Sequence, residues 1–124
     1  VGEITAVEGF RNAVASAKLN GQRNGIDNIH WICAPVPRAL AQLKQQRQKY
    51  SKIVLDPPRT GAKGIAADIS ALGAATIIYI SCNPTTLARD LAALSTLGYK
   101  LRFVQPVDFF PHTFHVESLA LMTR

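Results

Sequence analysis

The chain has only two cysteines, Cys33 and Cys82, and no close pair of thiols. That excludes a disulfide scaffold and a thiolate zinc framework, and it suits a reducing, cytoplasmic compartment. A thiol redox domain is also disfavoured, since Cys82 has no resolving cysteine nearby. Aromatic residues are sparse at 7%, with a single tryptophan. No apolar run is long enough to span a bilayer, and none has the layout of a signal peptide, so no membrane is expected. Repeats and low-complexity stretches are absent. Acidic residues are outnumbered, 8 against 14 Lys and Arg, giving a formal net charge of +6. Such an excess suits a polyanionic partner, and equally a solvated basic surface. The run Lys44-Gln45-Gln46-Arg47-Gln48-Lys49 reads as the solvated end of a helix.

With 48% hydrophobic residues in 124, one domain with a real core is expected. The pattern alternates strand and helix, the mark of an α/β parallel sheet with crossover helices. Glu3–Glu8 reads as a strand, and 9–20 as a helix closed by Asn20-Gly21. Asn28–Cys33 is a strand, 36–49 a helix, Lys52–Leu55 a buried strand, and 64–72 a helix stopped at Gly73. Residues 75–81 form the most apolar strand, expected at the centre. Asn83 can cap the next helix with Pro84 at its first position, and Gly98 ends it. Strands over 99–105 and 115–123 follow. Their connection is too short for a helical crossover, so they should be antiparallel.

Three segments carry the chemistry. Ile53-Val54-Leu55-Asp56-Pro57-Pro58-Arg59 is an apolar strand ending in an acid and two prolines. The prolines remove backbone donors and stiffen the exit, fixing the direction of Asp56 and the nearby carbonyls. Ile77-Ile78-Tyr79-Ile80-Ser81-Cys82-Asn83-Pro84 is a buried strand delivering a thiol to a helix start, where the helix dipole favours the thiolate. Cys33, by contrast, reads as a small buried cysteine within a strand. Phe109-Phe110-Pro111-His112-Thr113-Phe114-His115-Val116-Glu117-Ser118 carries a glutamate into an apolar strand, a costly place for a carboxylate without a task. Burial raises such a pKa and suits a general base, while pairing with a histidine or arginine is the structural alternative. His112 and His115 lack a third ligand for zinc. Glu8 ends the first strand, where an acid can accept ribose hydroxyls or simply face the start of the next helix.

Together these segments resemble the RNA 5-methyluridine methyltransferase family. Its LDPPR-type loop, SCNP motif and FPHTxHxE-type segment match Leu55–Arg59, Ser81–Pro84 and Phe110–Glu117 in order, and Thr85–Leu91 is also similar. The resemblance implies a Rossmann-like class I S-adenosylmethionine-dependent methyltransferase fold. Of that fold only the C-terminal part is expected, because the family's first strand and glycine-rich loop have no counterpart here. Residues 1–124 would then be a catalytic methyltransferase domain incomplete at its N-terminus, with a gap in the sheet through which copies could self-associate. Cys82 is implied as nucleophile and Glu117 as base, with Glu8 and Asp56 at the S-adenosylmethionine. Arg59 and Arg89, with Lys100 and Arg102, are candidate RNA contacts on charge alone. The partner implied is RNA, ribosomal rather than transfer on the wording around His112. Some relatives carry an iron–sulfur cluster or an RNA-binding domain in an N-terminal part. Ala34-Pro35 stand where the family usually has an acid or amide near the adenine, so the isolated piece is expected to be inactive. Competing readings are a tRNA enzyme of the same family, an amino-group nucleic-acid methyltransferase, and a non-catalytic RNA-binding fragment.

Overall fold

Each strand that alternates with a helix in the sequence does so in the computed structural model, which describes residues 2–113 and 116–124. The elements are β1 (Ile4–Glu8), α1 (Arg11–Arg23), β2 (Ile29–Cys33), α2 (Val36–Gln45), β3 (Lys52–Leu55), α3 (Ala66–Ala71), β4 (Thr76–Ser81), α4 (Pro84–Ser95), β5 (Lys100–Val107) and β6 (Glu117–Thr123). They divide into two units, residues 1–46 and 47–124.

In the first unit β1 and β2 run parallel, Glu8 opposite Cys33. Helix α1 does not stop at Asn20-Gly21 as expected. Gly21 is absorbed inside it, and the left-handed turn falls instead at Gly25, φ +63°. Helix α2 buries Ala39, Leu40 and Leu43. It ends at Gln45, short of Lys49, because Arg47 adopts a left-handed φ of 55° that no helix continues through.

In the second unit the strand order is β3-β4-β6-β5. β3 pairs parallel to β4, β6 runs antiparallel to β4, and β5 runs antiparallel to β6. The expected closing antiparallel pair is therefore present, and β4 is interior. Both β4 and β6 bury every second residue: Ile77, Tyr79 and Ser81 on one, Ser118, Ala120 and Met122 on the other. Leu87, Leu91 and Leu94 of α4 and Ile69 of α3 complete this core. β5 is the edge strand, exposed nearly throughout, and it tolerates Pro106 for that reason. Helix α3 is shorter than 64–72, since Gly64 has φ +82°. Lys49, far from closing α2, donates to the Ala71 carbonyl at 2.8 Å and so caps the end of α3. The strand expected to begin at His115 begins at Glu117, and His115 lies outside the described residues.

Among the described residues the strands form two sheets, β1-β2 and β3-β4-β6-β5.

Candidate active site

The carboxyl ends of β3 and β4 and the start of β6 meet at one edge of the four-stranded sheet. The last matched pair of β4 and β6 is Ser81 with Ser118. Cys82 follows Ser81 at the end of β4, and Glu117 precedes Ser118 at the start of β6, so each is the next residue beyond that pair. Both residues are half-buried. Parallel pairing of Leu55 with Tyr79 brings the exposed Asp56 to the same edge.

The backbone around Cys82 is held by its neighbours. The Ser81 hydroxyl donates to the Asn83 carbonyl at 3.0 Å and accepts from the Asn83 N–H at 3.1 Å, bracketing the thiol-bearing residue. The Asn83 side chain accepts from Thr85 N–H and Thr86 N–H, at 3.0 and 3.4 Å, so it caps α4 as its sequence position suggests. Its amide nitrogen donates to the Arg59 carbonyl at 3.3 Å, and the Thr86 hydroxyl donates to the same oxygen at 3.1 Å. Asp56–Arg59 and Ser81–Pro84, separate in sequence, are thus fastened to each other.

Sequence reasoning missed a buried polar cluster beside this seam. Asp90 Oδ2 accepts from the Tyr79 hydroxyl and from Ala62 N–H, each at 2.6 Å. Arg89 Nε donates to Asp90 Oδ1 at 2.9 Å. Burial alone would push the Asp90 carboxyl up, but the Tyr79 hydroxyl, the Ala62 N–H and Arg89 together outweigh it and hold it below the usual carboxylate range. Burial, then the bond to Asp90 and its charge, push the Tyr79 hydroxyl well above its ordinary value. One signal was available: Asp90 falls on the apolar stripe of Leu87, Leu91 and Leu94.

Other expectations are met differently. Cys33 is not a buried mid-strand residue; it is the exposed last residue of β2. Arg89 is not a free cation, since its guanidinium holds Asp90 and the Thr60 carbonyl, the latter at 2.9 Å. Arg102 Nε donates to Thr123 Oγ1 at 2.6 Å, while Lys100 and Arg59 are exposed. In the first unit Glu8 is exposed at the end of β1, and its Oε1 accepts from Phe10 N–H at 2.6 Å. That bond is the helix-start role foreseen as the plainer reading.

His112 is exposed, with a φ of 67°. Thr113 N–H donates to the Phe110 carbonyl at 3.1 Å, so Pro111 and His112 occupy the corners of a type II turn.

Alternating strands and helices, an antiparallel closing pair and functional groups at the strand ends define a Rossmann-like class I methyltransferase fold. The profile described as tRNA (Uracil-5-)-methyltransferase matches residues 1–124, and the chain belongs to that family of RNA 5-methyluridine methyltransferases. It is 42% identical over 125 residues to a 23S rRNA (uracil(1939)-C(5))-methyltransferase of Hahella chejuensis, covering 98% of this chain and 28% of that protein. The Vibrio cholerae enzyme of the same name is 40% identical over 121 residues, again with 98% and 28% covered. Among solved structures it is similar to the Pyrococcus abyssi tRNA (uracil-54, C5)-methyltransferase in complex with S-adenosyl-L-homocysteine. The TM-score is 0.80 at 26% identity, over 98% of this chain and 29% of that one. The chain therefore spans under a third of the length of these relatives. No helix among the described residues is long and apolar enough to cross a membrane.

Proposed function

We propose that this chain is the catalytic methyltransferase domain, lacking the family's first strand, of an enzyme that methylates carbon 5 of a uridine in RNA through a covalent cysteine–uracil intermediate. The observation that supports the reading is the Ser81–Ser118 register, beyond which Cys82 and Glu117 are the next residues on their chains at the same end of the sheet.

Carbon 5 of uracil is a poor nucleophile. Addition of the Cys82 thiolate to carbon 6 makes a new carbon–sulfur bond and pushes an electron pair through carbon 5, which becomes enolate-like. S-adenosylmethionine, when bound, would supply an electrophilic methyl group to that carbon, its sulfur–methyl bond breaking to leave S-adenosylhomocysteine. Glu117 then takes the carbon 5 proton, the carbon–carbon double bond re-forms, and the sulfur leaves carbon 6 as thiolate. The proton on Glu117 passes to solvent. Glu8, an exposed carboxylate whose Oε1 accepts from Phe10 N–H, is the acceptor assigned to the ribose hydroxyls. Asp56, on a proline-stiffened exit from β3, is assigned to the cofactor as well. Arg59 would meet RNA phosphate or a base edge. The target base has to leave its stack to reach Cys82.

Greater likeness to the ribosomal-RNA enzymes than to the tRNA enzyme favours ribosomal RNA as substrate. The sides of β1 and β3 that have no ladder partner among the described residues would allow self-association of this piece.

The test uses the intact protein that carries this chain, S-adenosylmethionine and 5-fluorouridine-substituted ribosomal RNA. Fluorine at carbon 5 cannot leave as a proton, so the reaction stalls as a denaturation-resistant protein–RNA adduct. The adduct is expected in wild type and absent in Cys82→Ala. Methyl transfer without any adduct would favour the amino-group methyltransferase reading instead.

A further inference from the structure

Helix α4 holds the segment after Arg59 residue by residue. Asn83 and Thr86 both donate to the Arg59 carbonyl. One turn on, Arg89 Nη2 donates to the Thr60 carbonyl, and Asp90 accepts from Ala62 N–H. Positions three and four apart share a helix face, so one polar stripe fastens residues 59, 60 and 62 in succession. Tyr79 reaches the same point from β4. Its hydroxyl donates to Asp90 Oδ2 at 2.6 Å and accepts from Ala62 N–H at 3.1 Å. Tyr79 is 0% exposed and Asp90 5%. Gly61 crosses the cluster at φ +74°, where an added Cβ would lie 2.7 Å from Arg89 Nη2 and closer still to Asp90 Oδ2.

A carboxylate is an expensive way to fill a leucine-lined stripe. Every partner Asp90 has here belongs to the loop or braces the acid against it. A site holds its reacting groups only as well as the surrounding shell fixes them. The loop so fixed begins at Asp56 and Arg59, and the helix that fixes it begins beside Cys82.

We propose that Asp90, braced by Tyr79 and Arg89, is a positioning residue: it locks residues 59–62 onto α4 and thereby sets Arg59 and Asp56 against Cys82 at the spacing the extruded base requires. Arg89 accordingly serves this lock and not RNA. The proposal rests on the uridine-methylation reading above.

The experiment measures adduct formation on 5-fluorouridine RNA at saturating RNA, in the intact protein, for wild type, Tyr79→Phe, Asp90→Asn and Tyr99→Phe. Tyr99→Phe is the control. Its hydroxyl donates to the Ala74 carbonyl at 2.7 Å and is equally buried, but at the opposite end of β4 from Cys82. Tyr79→Phe and Asp90→Asn should each slow the limiting rate by about ten-fold or more, since small misplacements at a reacting centre are costly. Tyr99→Phe should stay within about two-fold of wild type while lowering the melting temperature comparably. A rate for Tyr79→Phe within that range, or equal slowing by Tyr99→Phe, overturns the proposal. Should Asp90→Asn fail to fold, Tyr79→Phe decides, because it deletes one hydroxyl and keeps the ring. If wild type forms no adduct, the underlying reading falls and the proposal with it; an adduct insensitive to Tyr79→Phe overturns the proposal alone.

Discussion

At Glu117 the proposed chemistry separates two events that most substitutions would blur together. Cys82 must add before the methyl transfers, and the carbon 5 proton must leave before the thiolate can. Glutamine at position 117 keeps the size and the register with Val107 but cannot take a proton. Glu117→Gln should therefore accumulate a covalent, methylated protein–RNA adduct on ordinary uridine RNA, with turnover down by about 10²–10⁴-fold, the usual weight of a general base. Denaturing electrophoresis of the variant after mixing with RNA and S-adenosylmethionine checks this. Rapid turnover with no adduct would remove Glu117 from the role. The order of the motifs made Cys82 and Glu117 candidates in the sequence, but that their strands pair up to Ser81 and Ser118 is a matter of strand register. Cys33 was misread because burial within a strand depends on which face is covered, and α/β periodicity alone does not say. His112 carries a different residue-scale cost: a left-handed non-glycine residue loses about 1–2 kcal/mol. His112→Gly should accordingly raise the denaturant midpoint without altering the fold.

Helix α4 is the element on which the site depends, and its first residues do two jobs. Asn83 caps it through Oδ1 and reaches the Arg59 carbonyl through Nδ2. Asn83→Ala should cost about 1 kcal/mol in chemical denaturation. Asn83→Asp should retain that stability, since aspartate caps equally well, and lose only the amide link to Arg59. The cap was legible in the sequence because asparagine before proline and a helical pattern has few other uses. The lock at Asp90 was not, because a charged residue inside a helix usually faces solvent and its partners come from residues 62 and 79, far away in sequence. The limits of β3 were readable from the apolar run Ile53–Leu55, but its burial was not: the strand expected to be buried leaves Lys52 and Val54 exposed, and α1 and α2 ended where backbone conformation at Gly25 and Arg47 decides, which composition does not reveal. Asp90 also gives the element a pH signature. Its native carboxyl binds a proton less tightly than the unfolded value of 3.8, so on acidification the unfolded chain is protonated first. The stabilisation is complete above that value and is lost as pH falls through the lower native one. Urea midpoints measured at pH 7 and pH 3 should fall further for wild type than for Asp90→Asn.

For the whole molecule the strand sides without a ladder partner matter most. β1 pairs only with β2, and β3 only with β4, which leaves one side of each without a ladder partner among the described residues. Unpaired N–H and C=O groups along a strand are a template for another strand. The neighbouring surface is apolar as well: Val54, in the middle of β3, is 62% exposed. Lys52 at the start of β3 is the only charge on that strand, and a single terminal lysine blunts an edge weakly. The net charge of +6 opposes association at long range, but salt screens it beyond about 8 Å at physiological ionic strength, while strand pairing acts at contact. The 124-residue chain studied alone should therefore show a concentration-dependent rise in mass by light scattering, and the rise should be greater in 0.5 M than in 0.05 M salt, both values approximate working conditions. Val54→Lys, which sets a charge in the middle of the exposed stretch, should restore a monomer at both. A monomer at every concentration and salt would mean that the edges are protected within the chain itself, and an association indifferent to Val54→Lys would move the contact to another surface. The edge strand β5, where Leu101, Phe103 and Val104 are exposed, is the alternative contact to test in that case.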